Sequence, residues 1–185
     1  MRTLLIFAIL ALCMFQNACT RALPNTISPY EYDVYSTWLT SHLGHERDRA
    51  QEILIKGNTL PVKNLVDPER CQLPKRLLEP LLNAGDAEYP IHNTPTERIT
   101  TPFEFRLVDE EPRRPTKSYE LISFTRIAFT GDHSEGLFWV WSDHGCRLNG
   151  AGDSECGGGR GRYVRVIKTG NHWDFRSASP CISLE

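Results

Sequence analysis

The chain has 185 residues, 40% of them apolar, which suits one globular domain with a real core and is short for a two-domain enzyme. Its formal charge is −2, with 21 basic residues against 23 acidic ones. That balance argues against a nucleic-acid partner, whose binding draws on clustered Lys and Arg; the short groups Arg113-Arg114 and Arg160/Arg162/Arg165 read as solvated surface.

The N-terminus, MRTLLIFAILALCMFQNACTRALP, opens with Arg2, carries an apolar run from Leu4 to Phe15 and then turns small and polar. The run is too short to span a bilayer as a mature helix. Its layout is that of a secretory signal covering residues 1–22, with Thr20 and Ala22 as the small residues before a start at Leu23. A second exit makes Cys19, preceded by Ala18, the lipidated first residue of a bacterial lipoprotein, with Gln16 where such a signal carries Leu. Either way the protein is expected outside the cytoplasm, periplasmic or extracellular, touching a membrane only through that anchor. The folded part is then a single domain over 23–185, more acidic than the whole chain because Arg2 and Arg21 are lost.

In chain order, Ser28-Pro29-Tyr30-Glu31 is a helix start: a Ser cap, Pro at the first helical position and Glu placed for a capping box. Val34, Tyr35, Trp38, Leu39 and His42 follow at helical spacing, and Gly44 is the stop. Residues 51–56 read as a strand ending at Gly57-Asn58. Leucines 73, 77, 78, 81 and 82 form a helical stripe that Pro80 should kink or split. Residues 85–102 read as loop, and Phe103, Phe105 and Leu107 alternate as a second strand before the charged Asp109-Glu110-Glu111.

The last third predicts strands at about 119–129, 137–143, 162–169 and 172–177, with Gly170-Asn171 as a two-residue hairpin turn. Four consecutive strands make an antiparallel meander. Helices before strands, without an alternating βαβ pattern, predict an α+β domain with the first helix across one face of an antiparallel sheet. A sheet curled around a helix, cystatin-like or NTF2-like, is the nearest general picture, by analogy only.

The run ISFTRIAFTGDHSEGLFWVWSDHGC, followed by CGGGRGRYVRVIKTGNHWDF, resembles the C-terminal sheet of a loose group of small uncharacterised bacterial secreted proteins. The earlier YEYDVYSTWL and FEFRLVDEE are similar in kind and order to segments of that group. The resemblance implies architecture and location; the group brings no activity, cofactor or catalytic residue with it.

Four cysteines fall in the folded part: Cys71, Cys146, Cys156 and Cys181. An even number in an exported chain predicts two disulfides, Cys146–Cys156 and, by elimination, Cys71–Cys181. The first would tie the feet of a glycine-rich loop, worth roughly 2–3 kcal/mol through the unfolded state. The competing reading is a metal site built from Asp143, His144, Cys146 and Cys156, but C-x₉-C lacks the paired short spacings of structural zinc.

Gly152-Asp153-Ser154 is similar to the nucleophile segment of chymotrypsin-like proteases, yet Glu155 stands where a Gly would keep the oxyanion hole clear, and His144 is only ten residues upstream. Asp132-His133 and Asp143-His144 are the acid–base candidates of a small envelope hydrolase. Neighbouring strand residues point to opposite faces, so neither dipeptide is a preassembled pair. No nucleophile, cofactor or metal constellation is expected. The positive signal is Leu137-Phe138-Trp139-Val140-Trp141, apolar on both faces. The first helix covers one face; the other meets the second helix, a partner, or a peptide or glycan stacked on Trp139 and Trp141. The expectation is therefore an extracytoplasmic binding or accessory module with an envelope protein, peptide or glycan as its partner.

Overall fold

The computed structural model describes residues 23, 25–43, 52–62, 73–84, 87–112, 118–144, 147–148, 154–155 and 159–184. Its elements are α1 (Pro29–Leu43), β1 (Glu52–Lys56), α2 (Lys75–Asn83), β2 (Arg106–Val108), β3 (Tyr119–Phe124), β4 (Ala128–Phe129), β5 (Glu135–His144), β6 (Arg147–Leu148), β7 (Ser154–Glu155), β8 (Arg160–Thr169) and β9 (His172–Leu184). This is an α+β arrangement of few helices and one mixed, seven-stranded sheet in the order β2-β1-β3-β5-β8-β9, with β4 pairing β5 at the side.

The start of α1 follows from its capping box. Ser28 Oγ accepts from the Glu31 amide at 3.3 Å while Glu31 Oε2 accepts from the Ser28 amide at 2.8 Å, satisfying two donors that the first turn leaves open. That register turns Val34, Tyr35, Trp38 and Leu39 into the sheet, where they join Phe124, Phe138 and Val166 in the main core.

The second helix occupies the opposite face. Leu77 and Leu81 of α2 are fully buried against Leu137, Trp139 and Tyr163. The helix runs through Pro80, which was expected to kink or split it; the ring is buried, and burial of both leucines offsets the missing amide. The sheet is thus covered by α1 on one side and α2 on the other, which is why both faces of β5 are apolar.

Three strand expectations are corrected. The sheet is not wholly antiparallel: β1 runs parallel to both neighbours, with Leu54 across from Arg106 and from Leu121. The passage from β1 through α2 to β2 is therefore a crossover, a topology that the sequence pattern concealed because α2 packs beside β4 and β5 rather than over β1. The strand expected around 103–107 is ladder-bonded only over Arg106–Val108. Phe103 is buried and Phe105 packs on the same core, so their alternation reports burial rather than strand pairing.

The stretch expected as one strand at 119–129 is two, β3 and β4, broken by Thr125-Arg126-Ile127. Thr125 still bonds Trp139 of β5, donating its amide to the carbonyl at 3.0 Å and accepting the Trp139 amide on Oγ1 at 2.9 Å. The irregularity sends Arg126 inward to Glu31, as interruptions in a ladder commonly re-aim a side chain. At the other end, Gly170 takes φ 61° at the first central position of the β8–β9 hairpin, where a side chain would be strained.

Candidate functional site

The two tryptophans of β5 do not form an open platform. Trp139 is 1% exposed, packed edge-on to Tyr163 with ring centroids 4.7 Å apart and covered by α2. Trp141 is half-buried at the margin of the same cluster. The indoles lie over Gly161 of β8 and Gly159 just before it: a Cβ on Gly161 would stand 2.1 Å from Trp139 Cζ2, and one on Gly159 would stand 2.3 Å from Trp141 Cζ2. The glycine-rich sequence at the start of β8 thereby has a packing role, leaving room for two flat rings across the ladder. The ligand-stacking expectation does not carry to Trp139, whose faces are already taken.

Asp132 and His133 do not pair with each other in the described structure. Asp132 Oδ1 accepts from Thr130 Oγ1 at 2.6 Å, Ser134 Oγ at 2.8 Å and the Ser134 amide at 3.1 Å. The hydrogen bond from Thr130 and those from Ser134 hold its carboxyl down at about 2. This is the carboxylate of a tight turn, with its acceptor spent on the backbone and hydroxyls. Asp143 and His144 are successive β5 residues whose backbones lie across from Leu121 and Glu120. Asp109 and Glu110 are exposed, and Glu111 accepts from Tyr119 Oη at 2.6 Å.

Cys71, Cys146 and Cys156 lie outside the described residues, as do Cys19 and the rest of residues 1–22, expected as a signal. Their neighbours are informative: β6 and β7 pair, with Arg147 across from Glu155 and Leu148 across from Ser154. Among the described residues no group of three or more His, Cys, Asp or Glu could hold a metal ion, and no helix is long and apolar enough to cross a membrane. An open hollow of about 440 Å³ lies along the 93–105 loop, lined by Arg98, Thr101, Phe103 and Glu104 among others. It brings no nucleophile beside a base.

The accessible aromatic surface lies at the N-terminal end of α1. Tyr30, 43% exposed, stacks on the His133 imidazole with centroids 4.5 Å apart and rings 17° from parallel. Phe129 approaches both rings, at 6.4 Å from Tyr30 and 5.4 Å from His133, and also lies 5.9 Å from Trp173. Lys168 Nζ sits 5.4 Å from the Tyr30 centroid and 5.2 Å from that of Trp173, within cation–π range of both. Trp173 is anchored beneath by donating Nε1 to Asp33 at 2.7 Å.

His133 is the one non-glycine among the described residues with positive φ, at 54°. The turn requires this: the His133 amide closes onto the Thr130 carbonyl at 2.9 Å, and the Thr130 amide bonds the Glu135 carbonyl at 2.8 Å. A left-handed residue costs roughly 1–2 kcal/mol unless it is Gly, and such strain tends to mark functional positions. The sequence carries a signal for part of this group. The capping box fixes the helix register so that Tyr32 and Tyr35 turn inward while Tyr30 is left out. Phe129 and Lys168 come from strands whose turns meet only in the fold.

No family model, curated protein or solved structure matches this chain.

Proposed function

We propose that the protein is an extracytoplasmic binding module, held by disulfides, that recognises a saccharide of the cell envelope on the Tyr30–His133–Lys168 surface. The carrying observation is the exposed Tyr30 ring seated on a left-handed His133 beside the Lys168 ammonium. A flat aromatic edged by charged hydrogen-bonding groups suits a sugar, which offers an apolar ring face and a rim of hydroxyls. Lys168 supplies donors and the Tyr30 hydroxyl either role.

Export and the two disulfides belong to the same proposal. They rest on the apolar segment Leu4 to Phe15, the even cysteine number and the β6–β7 pairing, which brings together the residues that follow Cys146 and precede Cys156. Kinship with the small secreted bacterial proteins rests on the strand pattern alone. A cystatin-like or NTF2-like arrangement is supported by α1 lying against the antiparallel run β3-β5-β8-β9; the parallel pairing of β1 departs from it. Mass spectrometry of protein exported to an oxidising compartment should find a peptide linking Cys146 to Cys156, no free thiol, and a start at Leu23 or a lipidated Cys19. Free thiols that bind zinc stoichiometrically would overturn the disulfide assignment.

A further inference from the structure

β9 is the last strand of the sheet, and at 13 residues the longest element of it. Among the described residues only β8 pairs with it, and no backbone hydrogen bond ties residues 172–176 to any other described segment. A long edge with open amides and carbonyls is a template for another strand. Its sequence near the start, Asp174-Phe175-Arg176, suits one particular partner.

Asp174 and Arg176 are both exposed and share one face of the sheet, while Phe175 turns to the other face and packs on the core under α1. Within its own chain Arg176 stands across from Arg165, a like charge. Arg165 is neutralised by Glu135; Arg176 has no carboxylate partner among the described residues. We propose that β9 pairs antiparallel with β9 of a second copy about a two-fold axis at Phe175, continuing the sheet through a homodimer. That register sets Asp174 opposite Arg176 of the partner subunit, and the symmetry repeats the pair, giving two opposite-charge cross-strand pairs from one three-residue motif. The pairing uses the stretch before Pro180, which has no amide hydrogen to offer a neighbouring strand. The dimer does not depend on the saccharide reading, because the edge and the Tyr30 surface are separate features.

The test is light scattering coupled to size exclusion, at micromolar protein concentration, on the full mature chain. The wild type should run as a dimer. Asp174→Arg and Arg176→Asp should each run as monomers, since each sets like charges against each other. Mixed in equal amounts they should associate, because one chain then carries two positive residues and the other two negative ones. Re-association also shows that both variants are folded. A wild type that is monomeric, single variants that dimerise as well as the wild type, or a mixture that stays monomeric would each overturn the proposal.

Discussion

Arg126 and Glu31, 95 positions apart in sequence, meet inside the protein with Nε 2.7 Å from Oε1, their side chains 1% and 2% exposed. Nη2 adds a 3.0 Å bond to Oε2 and a 2.8 Å bond to the Thr26 carbonyl, and the Ile127 amide donates to Oε1 at 3.0 Å. Tyr89 lies over the guanidinium at 4.4 Å. Burial by itself lowers the Arg126 pKa, but the hydrogen bond and charge of Glu31 outweigh it and hold the group above its ordinary value. The carboxylate that caps α1 is thus the same one that fixes the break between β3 and β4.

Removing one member leaves the other charged and buried without its counterion. Arg126→Ala and Glu31→Ala should each lower stability by about 3–5 kcal/mol in urea denaturation. Arg126→Lys should fall short of wild type, because an ammonium cannot reproduce the two-pronged geometry. A loss below about 1 kcal/mol, the scale of an exposed pair, for Arg126→Ala would contradict a buried pair.

Gly161→Ala should destabilise through steric conflict. Its Cβ would lie 2.1 Å from Trp139 Cζ2 and 2.7 Å from Trp141 Cε3, and neither ring can retreat without disturbing its packing. The expected loss is about 1–3 kcal/mol, the range for overpacking a core, read from the urea midpoint. Combining it with Trp139→Leu should give a smaller total loss than the two single losses added together, as contacting residues do. Strict additivity would contradict the contact.

Glu135 provides a pH dependence with a definite sign. Burial raises its carboxyl pKa, but the hydrogen bonds and charges of Arg165 and Arg76 outweigh this and hold it below the usual carboxylate range. A carboxyl lowered in the fold stabilises fully above its unfolded value, about 4.3, and loses that contribution as pH falls through the folded value. The stability gap between wild type and Glu135→Gln should therefore be constant near neutrality and shrink below about pH 4. A gap that widens on acidification would contradict the assignment.

Much of this architecture is written in local sequence. Ser28 and Glu31 announce α1 because a capping box is a short-range device, and the β8–β9 turn is readable from Gly170-Asn171. The parallel placement of β1 is not, since the hydrophobic pattern of a buried strand carries no direction. LeuPheTrpValTrp correctly reads as apolar on both faces, but periodicity cannot say whether a helix or a ligand covers the second one; α2 covers it. The surface at Tyr30 is hidden for the same reason, because it joins a helix start to two hairpin turns whose proximity depends on the whole sheet.

His133 should separate stability from binding. His133→Gly relieves the left-handed backbone and ought to leave stability unchanged or raise it by up to about 1 kcal/mol, the lost stack on Tyr30 offsetting part of the gain. A loss of more than about 1 kcal/mol in thermal or urea unfolding would make the residue structural rather than retained for its ring.

The proposed saccharide surface is tested most directly by a nuclear magnetic resonance titration of the protein with a soluble N-acetylglucosamine tetramer. Saturable shifts should centre on the amides of Tyr30, His133 and Lys168 and the Trp173 indole, and Tyr30→Ala and His133→Gly should abolish them while the remaining spectrum stays folded. Absence of saturable shifts, or shifts centred on Trp141 and the 93–105 hollow that persist in both variants, would contradict it.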